Sequence, residues 1–151
     1  MQRGKFGFVM SLFVIVLLMT SCECWWFAFI YNNSTIDVYC VARNYADTTL
    51  SKEDAFLIEA GKSSGVMYGA TIFEPSYEKK RCYLYTFVSA DSVAKKGWEK
   101  VSEEQDFICR YEVYGRVFDK LGNTDLSYPP TQKMLDAGVR VLYPEDYGRH
   151  R

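Results

Sequence analysis

The chain has 151 residues, with 18 basic and 19 acidic side chains, a formal charge of −1, and one histidine, His150. That length fits one domain. Without a basic surplus there is no electrostatic footprint for nucleic acid, and a single histidine beside the C-terminus excludes a histidine-rich zinc site and makes a histidine-dependent triad rely on a chain end.

The aromatic share is 17%, from 12 Tyr, 10 Phe and 3 Trp. These side chains favour strands and bury large areas.

Arg3 and Lys5 precede an apolar run over residues 6–19, and no acid occurs before Glu23. A helix of about 14 residues spans about 21 Å, short of the about 30 Å of a hydrocarbon core. The segment therefore reads as a signal peptide over residues 1–21. Met19-Thr20-Ser21-Cys22 has the form of a bacterial lipobox, in which small residues admit the cut and the Cys22 thiol takes diacylglycerol. Cys24 is the poorer acceptor, because Glu23 would stand directly before the cut. The competing reading is an uncleaved anchor over residues 6–30, which would carry Glu23 into the bilayer at a cost. Cleavage leaves residues 22–151 as a single β-rich domain of 130 residues with a formal charge of −3, enough for one real core.

Residues 25–33 are apolar and aromatic and stop at Asn32-Asn33; residues 36–43 alternate. The polar connector between them predicts a hairpin. Asn32 and Asn33 both match the N-glycosylation pattern, which a bacterial envelope protein would not use. Residues 55–65 read as a strand and turn, and 66–73 as an apolar run interrupted at Gly69. Residues 81–89 are apolar or aromatic on both faces, which predicts a central strand. Asp91 is the expected N-cap of a short helix that Gly97 interrupts, with Trp98 and Val101 sharing a face if a second turn follows.

Residues 106–114 return to a period of two: Phe107, Cys109, Tyr111 and Val113 on one face, Arg110 and Glu112 on the other. A helical turn closed by Gly122, a short strand stopped by Pro129 and Pro130, a further helical turn and a last strand follow. The predicted fold is mainly β, a two-layer antiparallel β-sandwich of immunoglobulin or transthyretin type with short helical insertions. The alternative is an α+β sheet with residues 91–104 across one face. The expected core draws on Phe29, Val38, Leu84, Phe87, Cys109, Tyr111 and Val113.

In its C-terminal half the sequence resembles a group of uncharacterised small lipoproteins of Bacteroidota. Asp91 and Trp98 hold the places of that pattern's short helices, Arg110-Tyr111 its strand, Leu121 its helical turn, and Tyr128-Pro129-Pro130 and Met134 its close. The likeness covers most of residues 27–144. It departs at Gly115, where a polar cap is expected. The resemblance implies an envelope lipoprotein, with no assigned activity and no catalytic residues. The stretch "CECWWF" lacks the acidic cluster after the cysteine that often accompanies surface export in that phylum, so the face of the outer membrane is not assigned.

Chemistry-bearing residues are few. The carboxylate pairs Glu53/Asp54, Glu103/Glu104 and Glu145/Asp146 stand in hydrophilic stretches, whereas acid–base work needs pKa values separated by burial. Beyond Cys22, the cysteines are Cys24, Cys40, Cys82 and Cys109. They read either as up to two disulfides, with three possible pairings, or as buried free thiols, Cys40, Cys82 and Cys109 lying in expected strands. Cys22 and Cys24 have no second ligand pair at zinc spacing, so no metal and no cofactor is expected. Arg110 is expected to pair with Glu112 or a neighbouring strand. Trp25 and Trp26 either rest in the membrane interface or begin the first strand. The functional expectation is a lipid-anchored, non-enzymatic envelope module, probed by a polypeptide or glycan partner and by no nucleic acid. The alternative is a small envelope hydrolase using a carboxylate pair that folding brings together.

Overall fold

The computed structural model describes residues 23–44, 49–71, 82–121 and 126–145. The expected signal peptide and Cys22 lie outside them, as do Gly122 and Asp146 and the side chains of Cys24, Trp25 and Trp26. Among the described residues, eight strands form two sheets. The smaller has the order β4-β1-β7, from β1 (Glu23–Asn32), β4 (Ser63–Thr71) and β7 (Leu126–Tyr128). The larger has the order β3-β2-β5-β6-β8, from β2 (Val38–Asn44), β3 (Ala55–Ile58), β5 (Cys82–Ser89), β6 (Cys109–Tyr114) and β8 (Arg140–Tyr143). All pairs are antiparallel except β1 with β7. The fold is mainly β, sandwich-like, with short helices.

Residues 81–89 were expected at the centre of a sheet, and β5 is the middle strand of five. Tyr83 through Val88 are all buried, because the strand is covered on both sides. Tyr83, Tyr85 and Phe87 face the main core with Val38, Cys40, Cys109, Tyr111 and Val113. From the smaller sheet come Ala28, Ile30 and Leu126, and the Tyr128 ring stacks on Phe87 at 5.1 Å.

Two short helices complete this core. Helix α3 (Gly115–Leu121) buries Val117, Phe118 and Leu121, and α4 (Gln132–Ala137) buries Met134. Thr131 caps α4 by accepting from the Met134 amide, and Gly138 at φ 108° ends it in the left-handed region, which glycine enters without a Cβ penalty.

The other face of the larger sheet carries α1 (Ala90–Lys96) and α2 (Trp98–Glu103). Tyr39 meets Trp98 edge-on at 5.2 Å, and Val101 is fully buried. The α+β alternative is thus realised alongside the sandwich. Helix α1 starts two residues earlier than expected: Ser89 is its N-cap and Asp91 sits in the first turn, where its charge suits the helix dipole. Helix α3 begins at Gly115 itself, directly after β6.

The expected β1–β2 hairpin does not form; the two strands belong to different sheets. The cause is Asn32, which is fully buried. Its Nδ2 donates to the carbonyls of Ile36 (2.8 Å) and Ile58 (2.9 Å), and its Oδ1 accepts from the Ser34 amide (3.1 Å) and hydroxyl (2.6 Å). Its own amide donates to Lys62 O and its carbonyl accepts from Gly61 N, both at 2.8 Å. The polar connector turns the chain from one sheet into the other, and Asn32 is spent on structure rather than offered for modification.

One expected core residue is displaced. Phe29 is 40% exposed, while Val38, Leu84, Phe87, Cys109, Tyr111 and Val113 are buried. Strand β1 is apolar on both sides, so its periodicity could not say which side faces in.

Gly97, between α1 and α2, has φ 79° and ψ 159°, a region almost confined to glycine. A Cβ there would meet nothing within 4 Å. Gly97→Ala is expected to lower stability by about 1–3 kcal/mol through backbone strain alone, measured by urea unfolding.

Candidate functional site

An open groove of about 1000 Å³ runs between the α1–α2 pair and residues 50–53. It exists because Gly97 turns α2 back across the sheet and because Ser102 Oγ donates to Leu50 O at 3.3 Å. Leu50, Val93 and Trp98 line it, under a charged rim that includes Lys52, Glu53, Lys96, Lys100, Glu103 and Glu104. Folding therefore brings Glu53 to the same groove as Glu103 and Glu104, from segments about fifty residues apart in the chain.

The electrostatics of this rim favour ionised, paired groups. Lys96 Nζ donates to Glu104 Oε2 and Asp106 Oδ2, each at 2.9 Å, and Lys100 lies 3.8 Å from the other oxygen of Glu104. Those two hydrogen bonds raise the Lys96 pKa, and the bond from Lys96 lowers that of Asp106. The Ser51 hydroxyl lowers that of Glu53. A general acid at neutral pH needs its carboxyl raised by burial; these groups move the other way or stay solvated. Asp54 pairs with Arg43, and Glu145 is exposed.

Among the described residues one carboxylate is buried, and its charge pattern did not mark it. Glu112 is 1% exposed, on the face of β6 opposite the main core. It stands in a cross-strand row, Arg43–Leu84–Glu112–Arg140, and its Oε1 accepts from Arg140 Nη1 at 3.2 Å. Arg110 takes the neighbouring-strand option: its Nε donates to Thr86 Oγ1 on β5 at 3.0 Å, and its guanidinium lies 4.1 Å over the Phe107 ring. Burial lowers the Arg110 pKa. The signal that could have found the Glu112–Arg140 pair is their shared alternation once β8 is placed beside β6, and no sequence spacing supplies that adjacency.

Cys40, Cys82 and Cys109 are free. Cys40 and Cys109 both pair across to Phe87, which lies between them on β5. Two strand spacings separate them by roughly 9.5 Å, beyond the roughly 7 Å at which a disulfide closes. Burial raises the Cys40 pKa, with Cys109 adding to it, and pushes Cys109 to about 12. Burial, then the charge of Glu112, pushes Cys82 to about 11; its Sγ lies 4.0 Å from Glu112 Oε2. These are suppressed thiols, the opposite of nucleophiles.

Among the described residues, no three His, Cys, Asp or Glu side chains gather as metal ligands, and no helix is long and apolar enough to cross a membrane. Comparison with protein-family models, with curated proteins and with solved structures finds no match.

The thiols give a pH-dependent expectation. Their folded pKa values exceed the ordinary 9.0, so they contribute stability below about pH 9 that is lost as pH rises through the folded values. In the native protein at pH 8 a disulfide reagent should leave Cys40 and Cys109 unlabelled. Cys82 should react slowly, with a rate that climbs about tenfold per pH unit until about pH 11, following its thiolate fraction. Denaturation without reductant should expose all three, as peptide mapping by mass spectrometry would show. A Cys40–Cys109 disulfide in that map would contradict the geometry.

Proposed function

We propose that this chain is a lipid-anchored, non-enzymatic module of a bacterial cell envelope, held at the outer membrane through acyl chains on Cys22 and binding a polypeptide or glycan partner. The observation that carries the reading is Met19-Thr20-Ser21-Cys22, placed directly after the short apolar run of residues 6–19. The likeness to Bacteroidota lipoproteins supports it. So does the groove, whose Trp98 offers an aromatic surface within a rim of both charge signs, a lining suited to holding a partner by contact rather than by reaction.

The hydrolase alternative is favoured by one specific observation, the meeting of Glu53 and Glu103 on one groove. The lowered pKa of Glu53 weighs against it, because a carboxyl held ionised has no proton to give.

Replacing Cys22 by Ala should block processing at this site and abolish labelling by a palmitate analogue, while Cys24→Ala should leave both intact. The reverse pattern would contradict the assignment. With Cys22 intact, crosslinking in native envelopes should enrich a partner over a lipidated control domain, and Trp98→Ala should reduce that enrichment. No enrichment, together with turnover of envelope glycans or peptides that Glu53→Gln or Glu103→Gln abolishes, would establish the hydrolase instead.

A further inference from the structure

One face of the sandwich carries two aromatic side chains that the described fold leaves exposed in part. In β1 the inward positions are Ala28, Ile30 and Asn32, all fully buried. The alternate residues Phe29 and Tyr31 are 40% and 43% exposed. The neighbouring strand β4 places Gly65 opposite Phe29 and Ser63 opposite Tyr31. Neither can shield a ring; the Phe29 ring lies over Gly65, 3.4 Å from where a Cβ would stand. The described part of this outer face thus carries two aromatic rings, Phe29 and Tyr31, beside Gly65 and Ser63.

The start of β1 lies beside the proposed anchor. The strand begins at Glu23, the residue directly after Cys22, so no linker separates the proposed acyl chains from the sheet. At about 3.3 Å per residue, a strand standing upright from the bilayer would lift Phe29 and Tyr31 roughly 20–30 Å into water. Lying along the bilayer, the same strand brings both rings to the headgroup region, where amphipathic aromatic side chains are favoured.

We propose that the outer face of the smaller sheet, carrying Phe29 and Tyr31, is a membrane-docking surface that lies flat on the phospholipid bilayer to which Cys22 is tethered. The proposal rests on the lipid-anchor reading. The larger sheet, with α1, α2 and their groove on its far side, then faces away from the bilayer. The acyl chains hold the protein on the membrane, and the aromatic face fixes its orientation there.

The test uses the full-length, lipidated protein in vesicles of phosphatidylethanolamine and phosphatidylglycerol. Benzoylphenylalanine is placed singly at position 29, 31 or 57. Leu57 is a control of like exposure, 44%, on the edge of the larger sheet. After irradiation, positions 29 and 31 should give phospholipid adducts several-fold above position 57. Equal yields at all three, or dimer adducts at 29 and 31 in place of lipid, would overturn the docking face while leaving the anchor standing. Failure of the protein to float with the vesicles would remove the anchor, and the docking face with it.

Discussion

The fold turns on one buried amide. Asn32 ends β1 inside the protein, and its side chain satisfies partners in the connector after β1 and at the end of β3, while its backbone holds the turn between β3 and β4. An amide taken from water without partners is costly; one with every donor and acceptor engaged ties together the groups it reaches. Here Asn32, at the end of β1 in the smaller sheet, reaches Ile58 of β3 in the larger one. The β1–β7 pairing is extended on the same spot, where Asn33 donates to Tyr128 O at 2.7 Å.

The amide also sets the phase of β1. Side chains alternate across a strand, so a shift of one position exchanges its two faces. With Asn32 pointing in, Ile30 and Ala28 must point in and Tyr31 and Phe29 must point out. Hydrophobicity alone would place either set inside. Ala28 and Ile30 then share the core with the large rings of Tyr85, Phe87 and Tyr111. A sheet held this way puts Phe29 and Tyr31 on the outside, and that exposed face follows from the same constraint that closes the core. The charged groove and the aromatic face consequently lie on opposite sides of the molecule.

Much of the architecture was legible because it rests on local signals. The period of two marked β2 and β6, the apolar stretch on both faces marked β5 as central, Gly97 marked the break between α1 and α2, and Pro129 and Pro130 closed β7. What was not legible depends on adjacency. The hairpin expectation failed because a polar connector shows that the chain turns, not which sheet it enters. Phe29 was misplaced because β1 is apolar in both phases. The groove unites residues 50–53 with α1 and α2, and the Glu112–Arg140 pair needs β8 beside β6; neither follows from spacing. The cysteines were undecided between thiol and disulfide until the strand order put Phe87 between Cys40 and Cys109.

The central claim is that Asn32 joins the two sheets, and it is tested most directly by comparing urea unfolding of the native protein with that of Asn32→Ala. Loss of the side chain leaves the Ile36 and Ile58 carbonyls without their buried donor, so stability is expected to fall by about 2–4 kcal/mol. A change of less than about 0.5 kcal/mol, the size typical of a surface substitution, would contradict the account.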